Sequence, residues 1–145
     1  MIKKLRITGK EDSFAESLQS CLGEMLVLFL LKQKPMYTYE ITQEIHRISD
    51  GIFTYKSLYP YIYRLKSADC IAEQSQEVAK NRTRIYFHIT DRGREHLVNI
   101  KKKYRQLTTA ADMMLDLDEM IYRVEKNSAS KNNQIPHSKL TEYQA

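Results

Sequence analysis

One short run, Thr83 to Ile89, alternates Arg84, Tyr86 and His88 with Ile85, Phe87 and Ile89. A period of two among β-branched and aromatic side chains is the mark of a strand buried on one face. Almost everywhere else the apolar residues recur at helical spacing, so a small β element must be set among helices. A weaker strand signal, Cys70 to Glu77, precedes the run. The polar segment Val78-Ala79-Lys80-Asn81-Arg82 separates the two, which together read as an antiparallel hairpin. Only four glycines and three prolines occur in 145 residues. So few breakers exclude a many-turned sheet protein and favour long helices.

Three helices are expected before the hairpin. The first follows Phe14, Leu18, Leu22, Met25, Phe29 and Leu30, and the unbroken apolar block Met25 to Leu31 predicts a central helix packed on several sides. Pro35 ends it. The second runs from Thr38, read as its cap, to Ile48, with Ile41, Ile45 and Ile48 as its stripe and Gly51 able to take positive φ behind it. The third is expected to begin after Thr54, with Leu58, Tyr61, Ile62 and Leu65 inward and Lys56, Ser57, Tyr59, Tyr63 and Arg64 outward. Pro60 then falls about six residues into the helix, where it should cost a hydrogen bond and kink the first turns.

A long helix is expected after the hairpin, capped by Thr90 with Asp91 at its positive end. Leu97, Ile100, Tyr104, Leu107, Ala111 and Met114 follow one another at alternating spacings of three and four, a coiled-coil type of seam. Left bare, that seam would be a large apolar patch, so it reads as an interface. Asp118 breaks the phase, and Met114, Leu117, Ile121 and Val124 offer a shifted seam. The packing partner should therefore change, or the helix bend, near residues 114–118.

The expected architecture is mainly α with a small β-hairpin. A winged helix-turn-helix domain spans 13–90 and is followed by a long C-terminal dimerisation helix over 91–124. A basic arm, 1–12, with Lys3, Lys4, Arg6 and Lys10, precedes it, and a tail, 125–145, has the composition of a disordered segment.

Several function classes are excluded. Cys21 and Cys70 belong to no metal-ligand pattern and read as buried thiols of a reducing compartment. The histidines form no zinc cluster, so neither metal nor other cofactor is expected. No apolar run follows Met1, and the longest apolar block is far short of a membrane span, so a cytoplasmic protein without membrane contact is expected. No nucleophile–base pair or phosphate loop can be placed, which argues against an enzyme. Asp116, Asp118 and Glu119 fit a helix surface better than a catalytic site.

The net charge is +5. Its placement is uneven: Lys80, Arg82, Arg84, Arg92 and Arg94 face Asp91 alone in residues 80–94. Cations at a hairpin tip can lie on phosphates while the third helix enters a major groove about 12 Å wide. Lys80 and Arg82 are the best phosphate candidates, with Arg84 either joining them or lying along the sheet. Lys56 and Ser57 can reach base edges or phosphates. Tyr59 can pack its ring on the second helix and extend its hydroxyl to a phosphate, and Arg64 can touch the backbone. Tyr37 and Tyr39 should brace the helix-turn-helix, with either hydroxyl available to a phosphate. The run Lys101-Lys102-Lys103 with Arg105 reads as a solvated helix face. Double-stranded DNA is the expected partner; a winged-helix module that has lost operator reading, or an anti-repressor, is the alternative.

Three segments resemble the PadR family of bacterial transcriptional regulators. Leu22 to Leu31 resembles its first core helix. Pro35-Met36-Tyr37-Thr38-Tyr39-Glu40-Ile41 resembles the opening of its second helix, with Thr38 where the family has glycine. Ser57-Leu58-Tyr59-Pro60-Tyr61-Ile62-Tyr63-Arg64-Leu65 resembles its recognition helix, in which proline is tolerated. Arg82 to Gly93 is similar to the end of its wing, although the glycines before the basic run are missing. The resemblance implies a homodimeric repressor on a pseudopalindromic operator. In the short subfamily the last helix crosses to the partner's first helix, which adds Leu18 and Leu22 to the interface residues Leu97, Ile100, Tyr104, Leu107, Ala111, Met114 and Ile121. Some members sandwich flat drugs between tryptophans at the dimer centre. This chain has no tryptophan, and Tyr104 takes the nearest position for stacking a small-molecule effector.

Overall fold

The structure is a computed structural model, and it describes residues 11–117. The basic residues of the arm, Ile121 and the tail lie outside the described residues. The elements follow in the order α1 (Glu11–Gln33), β1 (Met36–Tyr37), α2 (Thr38–Ile48), α3 (Tyr59–Ser67), β2 (Ile71–Ala79), β3 (Arg82–Ile89) and α4 (Asp91–Asp116). Two compact units divide the chain, Met1–Val98 and Asn99–Ala145.

The first unit is a winged helix-turn-helix. Its core gathers Val27, Leu28, Leu30 and Leu31 of α1, Ile41 and Ile45 of α2, and Leu58, Ile62 and Leu65 in and before α3. Met36, Ile71, Phe87, Ile89 and Leu97 are buried with them. Each such side chain contributes on the order of 2 kcal/mol when fully buried. By length and mean hydropathy α1 is also the one described helix that could cross a bilayer. Its burial in this core gives it a different role, that of a central core helix.

Helix α1 differs from expectation at its near end. It begins at Glu11, so Glu11 and Asp12 are helical and not part of an arm. It is not packed on several sides throughout. Burial starts at Leu22, whereas Phe14 is 72% exposed and Leu18 46%. Cys21 is exposed as well; only Cys70 is buried, and the two are free thiols.

Helix α2 spans the expected residues, but the cap position belongs to Tyr37, whose side chain makes no capping bond. Thr38 is instead the first helical residue, and its carbonyl accepts the Thr42 hydroxyl at 3.1 Å. Behind α2, Asp50 (φ 52°) and Gly51 (φ 78°) turn the chain through the left-handed region.

The third helix is shorter than expected. It starts at Tyr59, with Leu58 at the cap position, so Thr54 does not cap it. Lys56 and Ser57 precede the helix, and Pro60 occupies its first turn. The missing proline N–H is harmless there, because the first-turn N–H groups have no partner inside a helix. The kink expected at Pro60 therefore has no cause.

The sheet has three strands, one more than expected, in the order β1-β3-β2. The extra strand is only Met36–Tyr37, paired antiparallel with Phe87 and Tyr86. Strands β2 and β3 form the expected hairpin from Ile71↔Ile89 to Ala79↔Arg82, with a register shift between Glu77 and Ala79. Lys80 and Asn81 make the turn, Asn81 at φ 61°, a conformation asparagine tolerates better than most residues.

Thr90 does cap α4. Its Oγ1 accepts the Gly93 N–H at 3.0 Å and its hydroxyl donates to the Asp69 carbonyl at 2.6 Å. Its own N–H donates to the Cys70 carbonyl at 3.0 Å. The second unit, taken by itself, carries α4 onward from Asn99. Within it Met113 and Leu117 are buried, whereas Met114, shared by the two expected seams, is exposed; Asp118, Ile121 and Val124, on which the shifted seam depends, lie outside the described residues.

Candidate nucleic-acid interface

The hairpin tip is built by β-pairing and a two-residue turn, which hold cations away from the core. Lys80, Asn81 and Arg82 are exposed. Among the described residues neither Lys80 nor Arg82 has a side-chain hydrogen bond or an acidic partner. Arg84, two residues along, is different. It is half-buried, and its guanidinium stands 4.4 Å from the centroid of the Tyr37 ring. The β1–β3 register places Tyr37 opposite Tyr86, and their rings meet edge to face at 5.4 Å.

The segment leading into α3 presents a second exposed set. Lys56, Ser57, Tyr59 and Tyr63 all face solvent. Ser57 Oγ accepts the Tyr59 N–H at 3.3 Å, so its hydroxyl oxygen borders the helix start. Tyr59 is 69% exposed, and its ring is not packed away on α2 as one reading supposed. Tyr39 is exposed on α2, where its hydroxyl accepts a hydrogen bond from Gln43 at 2.8 Å.

Arg64 is already engaged. Its Nε donates to Glu24 of α1 at 2.6 Å, and its guanidinium stands 5.2 Å from the Tyr61 ring centroid. Lys66, near the end of α3, pairs with Glu73 of β2 and so ties the helix to the base of the hairpin. Lys66 and two further exposed cations have their charged forms favoured by hydrogen-bonded acids: Glu73 raises Lys66, Glu40 raises Lys34 and Glu44 raises Arg47. Among the described residues the tip cations, like Lys56 at the approach to α3, have no such acid opposite them.

The seam residues split between two situations. Leu22 and Leu97 are buried within the chain. Ile100 is half-buried; Tyr104, Leu107, Ala111 and Met114 are exposed, with Leu107 at 62% and Met114 at 64%. On α1, Leu18 is exposed in line with Phe14. An apolar cavity of about 160 Å³ lies among Leu26, Phe29, Leu30, Ile45, Ile48, Ser49 and Phe53. The Ser49 hydroxyl is used locally, donating to the Ile45 carbonyl at 2.7 Å and accepting the Phe53 N–H at 3.0 Å.

Three structural residues escaped sequence reading. Asn81 shapes the tip, and asparagine in a short polar loop was an available turn signal. Gln19 and Glu24 had no signal, because their partners are 35 and 40 residues away.

Comparison with known proteins agrees with this geometry. Residues 27–99 match the family described as the transcriptional regulator PadR-like family. An uncharacterized protein of Lysinibacillus sphaericus is 27% identical over 95 residues, which cover 64% of this chain and 87% of that protein. A transcriptional regulator from Clostridium thermocellum superposes with a TM-score of 0.63 at 21% identity, covering 67% of this chain and 96% of its own. A PadR family transcriptional regulator from Eggerthella lenta gives 0.63 at 24%, covering 72% and 90%. One from Bacillus cereus, PadR-like, gives 0.59 at 23%, covering 68% and 96%. At these identities the solved structures show that the fold is shared.

Proposed function

Because the chain belongs to the PadR-like family of transcriptional regulators, a DNA-binding and not an enzymatic class, we propose that it acts as a homodimeric repressor on a pseudopalindromic operator. The observation that carries this reading is the hairpin tip. Among the described residues, Lys80 and Arg82 stand exposed and without acidic partners on a two-stranded arm whose base is tied to α3 through Lys66 and Glu73. A cationic arm fixed beside a helix supplies phosphate contacts in a defined register, and the helix and its lead-in segment supply base contacts.

In this reading Lys80 and Arg82 neutralise phosphates. Lys56 and Ser57 reach base edges or phosphates from the start of α3. The Tyr59 hydroxyl extends to the DNA backbone, and the Tyr39 hydroxyl, which accepts from Gln43, keeps its proton to donate to a phosphate. Arg84 and Tyr37 brace the wing, and Arg64 holds α3 to α1 instead of touching DNA. The domain assignment follows the same lines: residues 13–90 read the operator and the segment over 91–124, which α4 opens, pairs two chains.

Dimerisation rests on the exposed apolar stripe of α4, Tyr104, Leu107, Ala111 and Met114, with Ile100, and on Leu18 of α1. A contiguous stripe of this kind is costly to leave in water. Leu22 and Leu97 support it from inside their own chain. An effector, where one acts, would stack on Tyr104 in the seam. Cytoplasmic action fits a DNA partner and the free thiols.

Footprinting at ~0.15 M salt tests the reading, since phosphate-driven affinity is interpretable only at stated salt. Protection of two symmetric half-sites about one helical turn apart, or a multiple of it, is the expected result. A stoichiometric protein partner recovered with no DNA retained would instead favour the interaction module.

A further inference from the structure

Among the described residues, the hydrogen bonds that join the segment leading into α3 to α1 converge on a single α1 residue, Gln19. Gln19 Oε1 accepts the Thr54 N–H at 3.0 Å, and the Gln19 carbonyl accepts the Tyr55 hydroxyl at 2.7 Å. Tyr55 carries the fastening onward, because its ring meets that of Tyr61 edge to face at 5.5 Å. One turn further along α1, Gly23 lets the Tyr61 ring come so close that a Cβ at that glycine would stand 2.5 Å from it. Glu24 then holds Arg64. Gln19 and Gly23, four residues apart, share one face of α1, and Glu24 follows Gly23 directly. The latch therefore begins at Gln19 and fixes α1 against both the lead-in segment and α3.

We propose that Gln19 is a positioning residue for sequence discrimination: by holding Thr54 and Tyr55 it sets where Lys56 and Ser57 meet the base edges. This rests on the DNA reading above. The physical distinction is between two kinds of contact. Cations at the hairpin tip follow phosphates through flexible stems and tolerate small displacements. Hydrogen bonds to base edges depend on placement within about 0.5 Å. Loss of the latch should loosen the second kind and spare the first. The backbone N–H of Thr54 would turn to water, so the fold itself loses little.

The test measures binding of wild-type and variant chains to a selected operator duplex and to a random duplex of equal length, at one salt concentration. Gln19→Ala is expected to lower the ratio of specific to non-specific affinity by about tenfold, the scale of one lost base contact, with non-specific affinity within twofold of wild type. Gln19→Glu keeps an acceptor for the Thr54 N–H and is expected to keep the ratio. Tyr55→Phe removes only the hydroxyl and serves if Gln19→Ala fails to fold; it is expected to lower the ratio in the same sense. Amide exchange at Thr54 should quicken in Gln19→Ala and stay slow in Gln19→Glu. A wild-type ratio that survives both Gln19→Ala and Tyr55→Phe overturns the positioning role alone. A wild-type chain that discriminates no sequence overturns the DNA reading, and this inference with it.

Discussion

The guanidinium of Arg84 lies 4.4 Å from the ring of Tyr37, so the short strand β1 is clamped to β3 by a cation–π contact as well as by backbone pairing. Arg84 is thereby set apart from Arg82, two residues away in the same basic run. Arg84→Ala should cost about 1 kcal/mol of unfolding free energy, the scale of a partly shielded cation–π contact. Arg82→Ala should fall within about 0.5 kcal/mol of wild type. Urea titration checks both; equal costs would contradict the separation of roles.

At the tip, Lys80→Ala and Arg82→Ala should weaken binding to all duplexes alike. Each should also reduce the slope of log affinity against log salt by about 1. Arg84→Ala should leave that slope nearer to the wild-type value. Fluorescence anisotropy across a salt series reads both quantities, and an unchanged slope in the two tip variants would remove the wing from the interface.

The start of α4 depends on a crowded corner. A Cβ at Gly93 would collide with the Cys70 carbonyl and press on the Ile89 side chain. The same carbonyl accepts the Thr90 N–H. Gly93→Ala should therefore destabilise the fold by 2 kcal/mol or more, as overpacking against backbone does. Thr90→Ala should cost about 1 kcal/mol through the lost cap. Equilibrium unfolding decides; a neutral Gly93→Ala would mean that the corner yields more easily than its geometry implies.

Burial pushes the Tyr55 hydroxyl up to about 12 from its ordinary 10.0, with the neighbouring Tyr61 adding to the effect. The folded chain thus holds this proton at pH values where the unfolded chain has released it. The resulting stabilisation is complete below pH 10 and is lost as pH rises through 12. The difference in unfolding free energy between wild type and Tyr55→Phe should be flat from pH 7 to 9 and shrink above 10. A difference that does not change with pH would show that Tyr55 is better solvated than its burial implies.

The seam predicts concentration dependence. Leu107→Asp places a charge in the middle of the exposed stripe of α4. It should raise the dimer dissociation constant at least a hundredfold, because an unpaired carboxylate cannot be buried cheaply. Sedimentation equilibrium measures it. A variant that associates as tightly as wild type would place the interface elsewhere.

Much of the fold was legible because its signals are local. The alternation in Thr83 to Ile89 marked β3, the isoleucines at 41 and 45 marked α2, and Thr90 announced α4. What escaped were features fixed by distant contacts. Two residues cannot show a period, so β1 was invisible until Phe87 and Tyr86 paired with it. Leu58 continues the apolar pattern of α3, yet it sits in the turn before the helix, and the pattern alone could not separate them. Cys21 lies next to Leu22 where α1 passes from its polar first half to its apolar second half, and only the packing tells the exposed residue from the buried one. At the candidate interface the tip cations could be read from charge alone. The retirement of Arg64 and Arg84 to bracing depended on Glu24 and Tyr37, which lie far from them in the chain.

The most direct test of the account is the stoichiometry of the complex. Sedimentation velocity with a labelled operator duplex at ~0.15 M salt should show two chains bound per duplex carrying both half-sites, assembling in one cooperative step. A single chain bound at saturation, or a complex that forms equally well on a duplex with one half-site scrambled, would contradict a two-fold symmetric regulator.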